Sequence, residues 1–200
     1  MTARIATAER KTKETDIQVE LNLDGTGKID VNTGVGFFDH MLTAFAMHGR
    51  FDLKVHCKGD LHIDQHHTVE DTGIVIGKAL AEAVGDKRGI YRYGHAYVPM
   101  DETQVRAVLD LSGRAMAIVE IDWQPAYGPQ GMDFALTSEF FWAVARAAAM
   151  TIHIDSIRGR DNHHLCEAAF KAFARALDSA TRRDPKLGDN LPSTKGSFDG

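Results

Sequence analysis

The chain has little cysteine. Cys57 and Cys166 are the only two in 200 residues, too few for the disulfide framework of a small secreted fold. It also lacks an export signal. The first residues are polar and charged through Lys13, without the apolar core that a signal peptide needs, so a cytoplasmic setting is expected. No stretch approaches the roughly 20 apolar residues of a membrane span, and no membrane partner is expected. Positive charge is not in excess: 23 Lys and Arg stand against 28 Asp and Glu, a net charge of −5. That balance speaks against nucleic acid as a partner.

What is present is ordinary in bulk and unusual in one residue type. Hydrophobic residues make up 44% and charged residues 26%, the composition of a soluble globular protein. Two hundred residues suit one compact domain or two small fused ones. Histidine occurs ten times, which is high for this length.

Four of those histidines belong to a motif written twice. His66-His67-Thr68-Val69-Glu70 and His163-His164-Leu165-Cys166-Glu167 each place a glutamate three residues after a histidine pair, and the copies stand 97 residues apart. Each opens a long apolar-periodic run, so each occupies the first turn of a helix. Successive helical residues turn by about 100°. The glutamate therefore shares a face with its histidines, while the two adjacent histidines point apart and suit two different ions. Four histidines and two glutamates at mirrored positions read as a pair of similar metal sites, fed by both halves of the chain. Imidazole with carboxylate suits Zn, Mn, Fe, Co or Ni. The ligand supply exceeds the four of a closed structural zinc, which favours higher-coordinate ions with positions open to a substrate. Cys166, inside the second copy, is read as a helix-buried thiol.

The repeat extends beyond the motif. Glu14-Thr15 and Glu102-Thr103 precede Leu21 and Leu109, and Gly25 and Gly113, by equal intervals at an offset of 88. About nine extra residues therefore lie in the second half, and the loop Gln124–Gly131, with two prolines and two glycines, is the natural place for them. Residues 1–12 read as a flexible N-terminus, 13–88 as a first α+β half, 89–183 as a second, and 184–200 as an irregular tail, all within one structural unit. Alternating runs predict strands at Ile17–Leu23, Lys28–Thr33 (a returning strand), Phe51–His56 and, briefly, Leu61–Asp64. In the second half they predict strands at Tyr91–Val98, Gln104–Leu111, Ala115–Trp123 and Thr151–Asp155. Helical spacing predicts Phe37–His48, the motif helix to Val84, Ser138–Ala149, and the last helix to Ala180. The fold expected is α+β and internally duplicated, each half a small mostly antiparallel sheet covered by two helices.

Further candidates follow from position. His153 and His56 each end a strand ten residues before a motif, and His40 on the first helix competes with His56. Spacing alone leaves that choice open. His48, His62 and His95 default to surface or supporting positions. Lys171 lies four residues past Glu167, on the same face, and offers an ammonium to an anionic substrate; the equivalent position in the first half is Ile74. Arg92, Arg114 and Lys195 lie near turns or in the tail, where a phosphate clamp could be built.

At this point the residues match a known family. The chain resembles imidazoleglycerol-phosphate dehydratases, lyases of histidine biosynthesis, from about Arg10 to Gly196. The resemblance is carried by Thr12-Lys13-Glu14-Thr15, Leu23-Asp24-Gly25-Thr26-Gly27, Phe38-Asp39-His40-Met41-Leu42, His66-His67-Thr68-Val69-Glu70-Asp71, Leu111-Ser112-Gly113-Arg114, His163-His164 with Glu167, Phe170-Lys171-Ala172-Phe173-Ala174-Arg175-Ala176-Leu177, and Pro192-Ser193-Thr194-Lys195-Gly196. It implies two manganese ions per active site, with ligands at His40, His66, His67, Glu70, His153, His163, His164 and Glu167. It implies that Arg92, Arg114, Lys171, Ser193 and Lys195 hold a phosphate and that Glu14 lies near the reacting carbons. Trimers packed into a 24-subunit particle, with active sites at subunit contacts, are implied as well. Ala44 departs from the glutamine that several members carry, and Gln124–Ala135 matches no family pattern.

The reaction implied is dehydration of D-erythro-imidazole-glycerol phosphate to imidazole-acetol phosphate. Two metals holding the ring as imidazolate would let it expel the adjacent hydroxyl through a diazafulvene-like intermediate. The neighbouring carbon-bound proton then becomes acidic enough for a carboxylate. Glu14 is the expected base and Glu102, its repeat counterpart, the rival. Two other function classes compete: a dinuclear hydrolase of a phosphate or amide, which would usually need a bridging aspartate that the motif lacks, and a non-enzymatic metal-binding shell.

Overall fold

A computed structural model describes residues 3–124 and 131–198. Alternation of buried and exposed side chains, as in Thr15–Asn22 where Ile17, Val19 and Leu21 face inward, makes half-buried strands. The elements run β1 (Ile5–Lys11), β2 (Thr15–Asn22), β3 (Ile29–Asn32), α1 (Gly36–Gly49), β4 (Asp52–Gly59) and α2 (His66–Val84). The second half gives β5 (Tyr93–Met100), β6 (Thr103–Asp110), β7 (Met116–Glu120), α3 (Leu136–Ala148), β8 (Thr151–Arg158) and α4 (Asn162–Thr181). Two four-stranded sheets result, ordered β1-β2-β4-β3 and β5-β6-β8-β7. Each is antiparallel except at its β3–β4 or β7–β8 edge. The fold is the duplicated α+β arrangement.

The helices are exchanged between the halves. Each motif helix packs on its own sheet, α2 on β1, β2 and β4, and α4 on β5, β6 and β8. The first helix of each half leans on the other half's motif helix: α1 meets α4, and α3 meets α2. Phe38 stacks edge-on against Phe140 and Phe170, and Phe45 stacks on Phe173, so one continuous core holds residues of both halves. Gly73 and Gly77 let α2 approach α3, since a Cβ at either would meet the backbone oxygens of Phe140 or Val144 at 2.8 Å. α4 is alanine-rich and buried on nearly every side, as a central helix must be.

The exchange keeps a strict register. All eight buried positions of α1, from Phe37 to Gly49, match those of α3, from Leu136 to Ala148, at a constant offset of 99. Both helices end in a left-handed residue, Arg50 and Ala149.

Three expectations need correction. Residues 5–11 are not frayed: β1 is an edge strand paired with β2 from Ile5↔Asn22 to Lys11↔Asp16. Only Ala6 of it is buried, so it lacks the apolar signal. Lys28–Thr33 does not return against β2. The Asp52 carboxylate accepts the Thr26 and Lys28 N–H groups at 2.7 and 2.9 Å, the chain crosses the start of β4, and β3 runs parallel beyond it. Leu61–Asp64 is a turn, closed by Ile63 N–H donating to the Asp60 carbonyl at 2.8 Å; Ile63 is 63% exposed and has no core to pair against. Most of the Gln124–Gly131 loop lies outside the described residues. The tail, free of helix and strand among those residues, folds back along β5 and the β6–β7 turn. Gly89 N–H donates to the Asn190 carbonyl at 3.0 Å and Arg92 donates to that of Pro192 at 2.7 Å.

Candidate metal centre

Both motif helices begin under an aspartate. The Asp161 carboxylate accepts the His163 and His164 backbone N–H groups at 2.8 and 3.1 Å, and Asp64 accepts that of His66 at 2.8 Å, satisfying donors that a helix start leaves free. The adjacent imidazoles diverge as helical geometry requires. The rings of His66 and His67 lie 6.1 Å apart at 82°, and those of His163 and His164 6.2 Å apart at 80°.

On one side of α4 three donors converge. The Oε2 atom of Glu167 lies 3.1 Å from Nε2 of His40 and 3.1 Å from Nε2 of His163. All three ligand atoms fall within 4.8 Å of one another. His40 arrives from α1 only because α1 packs on the other half's motif helix. Phe37 holds the His163 ring edge-on at a centroid distance of 5.2 Å. Lys171 Nζ lies 2.6 Å from Oε1 of Glu167 and leaves Oε2 to face the histidines. Burial opposes the charge on Glu167, but Lys171 and His40 outweigh it and hold the carboxyl at about 2. An ionised carboxylate with two imidazoles fits a borderline divalent ion such as Mn, Fe, Co, Ni or Zn. Cys166, beside it, is fully buried, and burial pushes its thiol to about 12.

The equivalent side of α2 is more open. His66 Nε2 stands 3.6 Å from Glu70 Oε2, and Glu70 lines a cavity that Glu139 enters from α3. The second histidine of each pair, His67 and His164, is oriented by a carboxylate. His67 Nδ1 pairs with Asp60 at 3.0 Å and His164 Nδ1 with Glu102 at 2.9 Å. Each contact raises the histidine's pKa. Such partners leave Nε2 free as a ligand atom. Glu14 lies beyond His67, Oε1 to Nε2 at 3.8 Å. Glu102 is occupied differently. It also accepts Thr103 Oγ1 at 2.9 Å and the Asp161 N–H at 3.1 Å, and these contacts, the one with His164 foremost, bring its carboxyl to about 2. Asp60 escaped the sequence reading because a turn residue seven before His67 carries no periodic signal.

His153 is not brought to either cluster. It lies on β8 between Ile152 and Ile154, whose side chains are buried against the helices, so its own points to the opposite face, beside Val108 and Ile118. The burial register of α1 and α3 makes Glu139 the counterpart of His40. His56 likewise faces outward and pairs with Asp30 at 3.0 Å.

A separate pocket gathers Arg92, Ser112, Arg114, Ser193, Thr194 and Lys195. Asp110 holds the Arg92 guanidinium by two bonds of 2.7 and 3.1 Å; it also lies over the Tyr93 and Phe198 rings. Ser193 Oγ accepts the Lys195 N–H at 3.2 Å. Lys171 is not among the residues lining this pocket. The Arg92 N–H donates to the Ala180 carbonyl, thirteen residues past Glu167, so the pocket sits roughly 20 Å along α4 from the triad.

Comparison with known proteins gives one answer. Residues 33–177 match the family described as imidazoleglycerol-phosphate dehydratase. Proteins of that name from Acidovorax sp. (strain JS42) and Ruegeria pomeroyi are 55% and 53% identical over 195 residues, covering 98% of this chain and 92% and 100% of theirs. The crystal structure of the Staphylococcus aureus dehydratase superposes with a TM-score of 0.81 at 40% identity, over 90% of this chain and 99% of that one. A Pyrococcus furiosus structure gives 0.82 at 38%, over 94% and 99%.

Proposed function

The chain belongs to the imidazoleglycerol-phosphate dehydratase family, and from that premise we propose that it dehydrates D-erythro-imidazole-glycerol phosphate to imidazole-acetol phosphate in histidine biosynthesis, as a cytoplasmic, metal-dependent carbon–oxygen lyase. The observation that carries this reading is the triad of His40, His163 and Glu167, built on one copy of a motif that the other half repeats.

His40, His163 and Glu167 would hold one manganese, and His66 with Glu70 would contribute to a second; His67 and His164 would be the outer ligands. When bound, the two ions would supply the charge that keeps the substrate ring anionic at neutral pH. The carbon–oxygen bond next to the ring then breaks, and the proton on the following carbon passes to Glu14. Hydroxide and proton together make the water lost, and the enol left behind becomes the ketone. Glu14 suits the base role better than Glu102, whose carboxylate already accepts from His164, Thr103 and the Asp161 backbone. Arg92, Arg114, Ser193 and Lys195 would bind the phosphate, and orientation is their contribution to rate. Lys171 would take part from the metal side. A three-carbon side chain cannot bridge roughly 20 Å along one helix. The triad of one subunit would therefore meet the phosphate pocket of another, in keeping with the trimers and 24-subunit particle that the family resemblance implies.

The test is the absorbance of the enolised product formed from imidazole-glycerol phosphate by chelator-stripped protein, before and after manganese. Activity restored by the metal is expected. Hydrolysis of a model phosphoester with no dehydration would instead make it a dinuclear hydrolase, and metal uptake with no turnover a storage shell.

A further inference from the structure

The two motif helices differ one residue past their glutamates. Asp71 follows Glu70, and Ala168 follows Glu167. Both side chains are buried. A carboxylate in a core is costly unless it is paired, and the second copy of the fold closes with a methyl group in its place. Packing alone therefore does not call for Asp71. Its partners show what does. Thr15 Oγ1 donates to Asp71 Oδ2 at 2.6 Å, and the Arg10 guanidinium stands 2.9 Å from the same oxygen. Thr15 and Arg10 flank the turn that joins β1 to β2 and carries Glu14. That turn is closed on itself by Thr12, whose Oγ1 accepts the Glu14 and Thr15 N–H groups at 3.1 Å. On α2, His67 and Asp71 stand one helical turn apart on one face. The turn meets that face in step, with Glu14 beside His67 and Thr15 on Asp71.

The second half shows what the same hydroxyl does when no buried carboxylate claims it. Thr103, at the place of Thr15 in the repeat, donates to Glu102 Oε1 at 2.9 Å. That oxygen also accepts the Asp161 N–H at 3.1 Å, while His164 Nδ1 lies 2.9 Å from Oε2. Glu102 is thereby committed to supporting His164. We propose, on the reading of Glu14 as the base, that Asp71 is the positioning residue that gives Glu14 this role. It takes the Thr15 hydroxyl, so the Glu14 carboxylate stays free of the donor that binds Glu102. It also ties the turn to α2, so that carboxylate stays beside the motif histidines. Asp71 is buried and acts only through Thr15, on where Glu14 stands. Its effect therefore belongs to the rate of proton removal and not to substrate or metal binding.

Steady-state kinetics of the full-length, manganese-loaded protein, with manganese stoichiometry measured alongside, test this. Asp71→Ala gives α2 the residue that α4 carries. Its kcat should fall about 10- to 100-fold, the cost of misplacing a reacting group by about 1 Å, with KM and manganese content unchanged. Thr15→Val, nearly isosteric, should match it from the other side of the contact. Thr15→Ser keeps the hydroxyl and should retain most of the parent rate. A merely structural need for a β-branched residue in the strand would rank valine above serine. Should Asp71→Ala fail to fold, the two Thr15 variants carry the test. Asp71→Ala added to Glu14→Gln should cost nothing further, because no base is left to position. If Glu14→Gln is slow while Asp71→Ala and Thr15→Val turn over like the parent, or cost their full factor on top of it, Asp71 does not position Glu14, and Glu14 remains the base. Manganese lost in step with rate would likewise overturn the proposal, making Asp71 a prop for the ligands beside it. If Glu14→Gln turns over normally, the base reading and the proposal fall together.

Discussion

The helices α2 and α4 begin with the same five-residue pattern and part company within a turn. After Glu70 comes Ile74; after Glu167 comes Lys171. Gly73 and Gly77, which admit α3, correspond to Phe170 and Ala174, which fill the space against α1. Glu14 stands loose beside His67, while its counterpart Glu102 is fixed under His164 by three further donors. Backbone packing tolerates duplication because each half needs the other's helix to close its core. On the proposed reaction, a substrate with a ring at one end and a phosphate at the other does not tolerate it, since only one end would sit between like metals. The differences cluster where such a substrate would break the symmetry.

The comparison breaks hardest at the carboxylates. Glu14→Gln removes only an exposed carboxylate, and loss of a general base costs about 10² to 10⁴ in rate. Metal content should stay the same. Glu102→Gln should act through His164 instead, lowering manganese affinity about 10- to 100-fold and recovering much of its rate at high manganese. Steady-state rates with metal stoichiometry decide it. Normal turnover in Glu14→Gln, with metal-independent loss in Glu102→Gln, would exchange the two roles.

How much of this could be read from residues alone depends on where the signal lay. The motif helices were legible because apolar periodicity and the histidine pair coincide. β1 was not, because an edge strand with one buried alanine has almost no pattern. The helix exchange left no local mark either, since α1 and α3 bury the same face whichever partner they meet. That hid the match of Glu139 with His40. The offset is 88 through β6, 99 at α3 and β8, and 97 at the motif, so no single shift maps one half onto the other. Strand symmetry pointed to His153 and His56 alike, and within one chain the pleat turns both to the outer face. The pocket proposed for the phosphate joins a turn to a tail some eighty residues later, and only family resemblance could link Arg114 to Lys195.

A second difference lies in how closely helix and sheet approach. Ala6 on β1 pairs with Leu21, and Gly94 on β5 pairs with Leu109, 88 residues on. Ala6 fits under its neighbours with a Cβ. A Cβ on Gly94 would meet the Ala176 carbonyl oxygen of α4 at 1.9 Å, so α4 would have to lift from β5. Gly94→Ala should therefore cost about 1–3 kcal/mol, the usual range for overpacking a core. Ala6→Gly should cost only about 0.5–1 kcal/mol through chain entropy. Urea denaturation of both variants compares them, and equal losses would mean that the two helix–sheet layers are equally tight.

The smallest expected effect concerns how each half ties its second strand to its third. In the first half an ionised side chain does it: Asp52 accepts the backbone N–H groups of Thr26 and Lys28, with Asn22 Nδ2 at 3.2 Å. In the second half the equivalent residue is Thr151, whose hydroxyl lies 3.3 Å from Ser112 Oγ and carries no charge. The backbone donors, that of Lys28 foremost, lower the Asp52 pKa below its usual 3.8. A depressed carboxylate pKa contributes stability that is present above the unfolded value and lost as pH falls through the folded one. The first-half turn should therefore loosen below about pH 4, while the second-half turn does not respond through this contact. Asp52→Asn should cost about 0.5–1.5 kcal/mol at neutral pH and remove the pH response. Amide exchange at Thr26 and Lys28, set against that at Arg114, reads both. Exchange at all three accelerating together on acidification would show that the acid response belongs to the whole fold, and the Asp52 contact would lose its separate role.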